Sequence, residues 1–424
     1  MTAPPVDNPD PLAAAVQGAD VLHEAKPPPA IVELWKRAAD VRAFDANNRP
    51  PARDWLLERE PENDEERDEA KKWGGEGARV GVLPLGKVGL LASAGGCGKT
   101  MLLCQLAISV ATGLPWLGRR GGRQGWHVAP RALGKSLLLL GEEDEDEARR
   151  RLYNAADTMG LNDEERARAA DLIHFVPLAG CPSALTERDE RGAVRSSPAM
   201  HALRDRLEAL AKADGEPWRL VVVDPLARFA DSEAEADNAA ATRFIQEAET
   251  LARRIGEHKS GPAVLVAHHT AKVARREGDA SGNAIRGASG LVDGARWAAT
   301  LESLPEPDVG PDGPGGRRLG FSGARLALVK SNYSATAPPL WLRRAGNGAL
   351  VEMTADERER FEAAMVETKN AEKNGARPKR PPPQGGNGKT PPTPPSPSHY
   401  EPRSALDEQR DTERENQTRR DLFE

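Results

Sequence analysis

Residues 87–111, KVGLLASAGGCGKTMLLCQLAISVA, restrict the fold more than any other part of the chain. An apolar run, too continuous for a half-exposed strand, leads directly into SAGGCGKT (93–100), and an amphipathic helix-forming segment leaves it. This strand–loop–helix order is the setting in which a glycine-rich turn wraps its amide N–H groups around a phosphate. Gly95, Gly96 and Gly98 permit the curl, and the positive end of the following helix adds to the field. The expected nucleotide-binding residues are therefore Ser93, Ala94, Gly95, Gly96, Cys97, Gly98, Lys99, Thr100 and Met101. Lys99 is placed to neutralise the β- and γ-phosphates of ATP, and Thr100 to ligate Mg2+. The pattern ordinarily opens with glycine; Ser93 stands there and is small enough to leave the mechanism intact.

Around this loop, short apolar runs alternate with longer helical ones, the signature of a parallel sheet with crossover helices. The expected strands are 87–93, 136–142, 173–179, 220–224 and 263–269, with helices at 99–112, 144–159, 198–212 and 236–256. Beyond residue 290, RWAATLES, ARLALVKSNY, LWLRRA and ALVEM are separated by Gly- and Pro-rich turns, as for strands added as hairpins to one edge. The expected fold is α/β: a P-loop core with a mostly parallel central sheet, antiparallel edge strands and disordered tails. Apolar residues make up 38% of the chain and aromatics 4%, so Ala, Leu and Val must build the core.

Three parts follow from these patterns: a flank at 1–50 holding one short helix, the ATPase domain at 51–355, and at 356–424 a charged helix, a Pro-rich linker and a tail. The acidic run Glu58 to Glu69 reads as solvated, and the Pro-rich stretch after Pro378 cannot enter a helix or a sheet. The net charge of −6 excludes a generally basic coat, so any nucleic-acid contact must come from local patches. Cys97, Cys104 and Cys181 have neither metal-ligand spacing nor an even count, which fits a reducing compartment, the cytoplasm. Neither a leader pattern nor a membrane-length apolar run is expected.

A metal site needs a carboxylate at a second buried strand end, and Asp224, closing WRLVVVD, fits that role beside Thr100. A group that orients or deprotonates water is also needed, and SLLLLGEEDEDEARRRL offers Glu142, Glu143 and Asp144, of which the first two can point inward. Glu145 to Glu147 read better as an acidic helix start. The segment TAKVARREGDASGNAIRGAS carries Lys272, Arg275, Arg276 and Arg286 around a Gly/Ser-rich centre, as a basic loop gripping a phosphate backbone would. It lacks aromatic residues, so its binding would be electrostatic and sequence-tolerant.

In order and spacing, PPARDWLLE, SAGGCGKT, LLLLGEEDEDEARRRL, RLVVVDPLARF and VLVAHHTAK with AIRGASGLVDGARWAATL resemble the RecA-like AAA ATPases, and within them the RepA-type hexameric replicative helicases of plasmids and phages. The resemblance spans roughly 50–353. It implies that Glu143 is the catalytic carboxylate, with Glu142 as the alternative, and that Asp224 holds Mg2+. It further implies that His268 or His269, aided by Thr270, reports the γ-phosphate to the DNA-binding loop. Lys330 would be the cation supplied to a neighbouring subunit's ATP, with Arg286 and Arg296 as runners-up. The insertions before the phosphate loop and in GRRGGRQGWHVAPRALG bear on ring geometry and leave the ATP chemistry intact.

The expected partners are single-stranded DNA, further copies of the chain in a hexameric ring, and a replication initiator or primase. Two other readings share the fold: a regulatory or loader ATPase that switches assembly state, and a DNA-binding scaffold with a structural nucleotide site.

Overall fold

A computed structural model describes residues 51–373, apart from 76, 120–124, 233, 235–236, 254, 256–259, 270–288, 308–318 and 336. The expected flanking helix, the Pro-rich linker, the tail, Thr270 and the basic-loop residues Lys272, Arg275, Arg276 and Arg286 lie outside the described residues. The chain enters through β1 (Trp55–Arg59), α1 (Asp64–Gly74) and β2 (Val80–Pro84), which precede the phosphate-loop strand β3 (Val88–Ser93) and helix α2 (Lys99–Thr112). A short strand β4 (His127–Val128) leads to β5 (Lys135–Leu140), α3 (Glu145–Thr158), α4 (Asp163–Leu172) and β6 (Ile173–Pro177). A small hairpin of β7 (Thr186–Arg188) and β8 (Val194–Ser196) precedes α5 (Pro198–Asp214) and β9 (Trp218–Asp224). Then come α6 (Leu226–Phe229), α7 (Asn238–Leu251), β10 (Ala263–His269) and α8 (Ser289–Gly294). The last elements are β11 (Trp297–Leu304), β12 (Gly323–Ser331), β13 (Leu340–Arg344), β14 (Leu350–Glu352) and α9 (Ala355–Lys373).

Among the described residues the main sheet runs in the order β14-β13-β12-β11-β3-β10-β9-β5-β6. From β6 to β11 all neighbours are parallel, while β12, β13 and β14 pair antiparallel at the β11 edge. The hairpin expected after residue 290 is present, β11 pairing antiparallel with β12, while the other side of β11 joins the parallel block directly beside β3. The phosphate loop consequently leaves the middle of the sheet, between β10 and β11. Strand burial agrees, since every residue of β3 and β5 is buried, as parallel strands flanked by helices require.

Alternation sorts the strand side chains into two cores. Leu138, Leu140, Leu220, Val222, Leu265 and Ala267 face α2, α3 and α4. Leu137, Leu139, Val221, Val223, Val264 and Val266 face α5 and α7. Helix α2 is buried from Met101 to Ala111, so it is enclosed on all sides and not amphipathic as its sequence suggested. The second cover is a three-stranded sheet, β2-β1-β4, whose Leu56, Leu57, Val82 and Val128 share a core with α2. The expectation that Glu58 to Glu69 is solvated holds only in part: α1 buries no residue, but its Glu66 holds the buried Arg59 at 2.5 Å. Helix α9 seats Phe361 against Met353 and Trp341.

Candidate nucleotide-binding site

Parallel pairing brings the C-terminal ends of β3, β10, β9 and β5 to one edge, and the candidate residues collect there. His269 is level with Ser93, and the amide of Gly141, just past β5, donates to the Asp224 carbonyl. From Ser93 the loop turns through Gly96 and Gly98, both at positive φ, of 76° and 94°. A side chain on Gly95 or Gly96 would meet nothing within 4 Å, so the mouth of the cradle is open. Thr100 on the first turn of α2 donates its hydroxyl to Asp224 at 2.6 Å. Residues 124 positions apart thus meet as one oxygen corner, joining a phosphate cradle to a strand-end carboxylate. Oxygen donors in this pairing suit Mg2+, and an ammonium beside open amide donors suits a triphosphate, so the residues present fit Mg-ATP.

The Asp224 carboxyl is buried, and burial is the main reason its pKa stands above the usual carboxylate value. Lys99 and the Thr100 hydroxyl pull it back down, Glu142 raises it, and His269 lowers it. Each of these groups acts on the same carboxylate. The Cys104 thiol, one turn further along α2, is pushed up to about 12, first by burial and then by Asp224, so it stays protonated and inert.

Glu142 and Glu143 have different surroundings. Glu143 is tied to Arg151 of α3 at 2.9 Å, with its side chain 14% exposed. Glu142 is 54% exposed, stands 3.9 Å from Arg228, and is the acid that acts on Asp224. Asp144 is the N-cap of α3, accepting from the Glu147 amide, so it serves the helix. Glu143, the carboxylate preferred from the sequence, is thus held by Arg151, whereas Glu142, the alternative, meets Arg228 only at 3.9 Å.

The histidines separate by strand alternation. His268 is fully buried and continues the Val264–Val266 row, on the face away from α2. His269 continues the Leu265–Ala267 row on the α2 face, is partly exposed and acts on Asp224. Of the two histidines expected from the sequence, His269 therefore stands on the α2 face of the sheet and His268 on the opposite one.

Lys330 does not join this cluster. It pairs with Ala298, which is level with Leu90, toward the end of β3 remote from the loop. Its ammonium donates to the Val292 and Asp293 carbonyls at 2.7 and 3.0 Å, at the C-terminus of α8. Burial lowers its pKa, with Asp293 opposing and Arg296 reinforcing. Arg296 lies at the same end, its amide bonded to the Val88 carbonyl. Neither cation reaches the cradle, whereas Arg286 lies outside the described residues.

Three contributors escape a reading of the sequence. Arg344, ending β13, donates to the Cys97 carbonyl at 2.7 Å. Gln105 bonds the Leu350 backbone in both directions, at 2.8 and 3.0 Å, fixing α2 to β14. Arg151 sits in the acidic motif itself. A glutamine inside an otherwise apolar helix is a signal for the second; nothing local marks Arg344, whose partner is 247 positions away.

A family model described as an AAA domain matches residues 34–275, more than half of the chain, from before β1 to beyond β10. The chain belongs to this AAA domain family. The match takes in the cradle, Glu142, Asp224 and His269, and stops short of the antiparallel edge with Lys330 and Arg344. Among solved structures, one described as an ATPase domain is similar at 10% identity and TM-score 0.43, over 77% of this chain and 98% of that one. A KaiC-like protein of the archaeon Pyrococcus horikoshii is similar at 14% identity and TM-score 0.39, over 72% and 100%. A DnaB-like replicative helicase, described with its primase interactions, is similar at 11% identity and TM-score 0.43, over 81% and 72%. At these scores the three carry no residue roles across to the AAA chain. No described helix is long and apolar enough to cross a membrane, and no described cluster of three or more His, Cys, Asp or Glu could hold a further metal ion.

Proposed function

We propose that the protein is a Mg2+-dependent ATPase working as a ring-forming replicative DNA helicase of the RepA type, moving on single-stranded DNA. The observation that carries the ATPase reading is the Thr100–Asp224 contact of 2.6 Å beneath an open glycine cradle. In this reading the amides of residues 95–100 and the Lys99 ammonium bind the β- and γ-phosphates, and Thr100 and Asp224 hold the metal. Bound Mg2+ supplies charge neutralisation at the transferring phosphoryl group. Glu142 orients the attacking water and accepts its proton, and His269, between the cradle and the strand end leading to the basic loop, senses the γ-phosphate. Lys330, too far along the sheet to serve its own subunit, acts on a neighbour's nucleotide, which supports a ring. Lys272, Arg275, Arg276 and Arg286 grip the DNA backbone, and a replication initiator or primase would deliver the ring to DNA.

The test is ATP turnover with and without single-stranded DNA, followed by strand displacement on a forked duplex. DNA-stimulated turnover with unwinding supports the motor. Turnover indifferent to DNA would replace it with a regulatory ATPase, and DNA binding without turnover with a scaffold.

A further inference from the structure

The AAA match ends before β13 and β14, yet this hairpin grips the phosphate loop from behind. Arg344 leaves a fixed base, its own amide bonded to the Ser322 carbonyl at 3.0 Å. Beyond it the turn is closed by bonds between Ala345 and Ala349 and between Gly348 and Ala345. Asn347 in that turn bonds the Asn154 carbonyl and the Thr158 hydroxyl of α3, at 3.1 and 2.8 Å. Gln105 fastens α2 to Leu350 on the returning strand. The guanidinium is thus delivered from a platform anchored to both helices that flank the cradle. Its Nη2 donates to the Cys97 carbonyl at 2.7 Å, and a Cβ on Gly98 would lie 2.8 Å from its Nη1.

We propose that Arg344 is a positioning residue that sets the affinity of the cradle for nucleoside di- and triphosphates within its own subunit. The acceptor and the anion-facing donor belong to one peptide unit: the Cys97 carbonyl and the Gly98 amide. Donation by a cation to that carbonyl fixes the orientation of the unit and polarises its N–H toward an incoming phosphate. Gly98, at φ 94°, is in a conformation that other residues rarely adopt, and the guanidinium packed against it leaves the peptide no room to flip. The fixed charge behind the loop further raises the local potential for an anion.

This inference rests on the nucleotide-site reading, and the experiment separates the two. The full-length wild type, Arg344→Lys and Arg344→Gln are titrated with a fluorescent ADP analogue and Mg2+, and the Tm of each is measured without nucleotide. A charge-assisted hydrogen bond predicts roughly 10- to 100-fold weaker binding for Arg344→Gln. Arg344→Lys, keeping the charge and one donor, recovers most of that loss, while both variants melt close to the wild type. Wild-type affinity in Arg344→Gln, or equal losses in both variants that track a fall in Tm, would overturn the role. Absence of binding by the wild type would remove the nucleotide reading itself, and this role with it.

Discussion

Glu142→Gln and Glu143→Gln should separate catalysis from stability, although the two residues are adjacent and chemically identical. Glu142 is half exposed, and its nearest cation, Arg228, is 3.9 Å away, so changing it to an amide costs about 0–1 kcal/mol of stability. On the role proposed for Glu142, the same change removes the proton acceptor for water, a loss of roughly 10²- to 10⁴-fold in turnover. It also removes a negative charge that raises the Asp224 pKa, so Mg-nucleotide binding is kept or tightened. Glu143 gives the opposite signature. Its carboxylate, 14% exposed, meets Arg151 at 2.9 Å, and loss of one charge-assisted bond costs about 1.5–3 kcal/mol. At roughly 2 °C or less per kcal/mol for a domain of about 300 residues, Tm falls by a few degrees while turnover stays within about tenfold of wild type. Phosphate release at saturating Mg-ATP and scanning calorimetry read the two effects separately. A Glu143→Gln variant that melts like wild type and does not turn over, beside an active Glu142→Gln, would refute the assignment.

Gln105→Leu leaves the buried amide and carbonyl of Leu350 without partners and should destabilise by about 2–4 kcal/mol in urea unfolding; an unchanged midpoint contradicts the clamp. Lys135, 1% exposed, bonds Asp214 at 2.7 Å and lies over Trp218, so Asp214→Asn should cost about 1–2 kcal/mol at neutral pH, Asp214 being half exposed. The Asp214 pKa is lowered, chiefly by that hydrogen bond, so the folded state binds its proton less readily than the unfolded one. The wild-type advantage over Asp214→Asn should therefore be full above about pH 4 and vanish as the pH falls through the depressed value, which Tm against pH will show. Lys330→Ala subunits mixed with Glu142→Gln subunits should recover turnover that neither has alone, since each supplies what the other lacks; no recovery at any ratio counts against action across an interface.

The central sheet is legible in the sequence because β3, β9 and β10 are built on near-continuous apolar runs, and the bounds of α2 and α5 lie within two residues of those expected from pattern. The cradle and Asp224 are legible because each sits at the end of such a run. Other features are set by partners that sequence distance hides. Strand β1 ends in Arg59, whose burial makes sense once Glu66 of the next helix closes on it. Helix α4 leaves a readable mark, the Asn162 and Glu165 capping box, that a strand-based reading passes over. His268 and His269 alternate visibly, but their roles depend on which face α2 covers. Glu142 and Glu143 cannot be ranked without Arg151, two turns into α3, which takes one of them.

Equilibrium binding of ATP to the protein, with and without Mg2+, beside Lys99→Ala and Asp224→Ala, reads the phosphate cradle and its Thr100–Asp224 corner separately. Wild type should bind in the micromolar range or tighter, Lys99→Ala should lose on the order of 100-fold, and Asp224→Ala should lose the Mg2+-dependent part. Equal affinity in all three proteins, unmoved by Mg2+, would contradict the site.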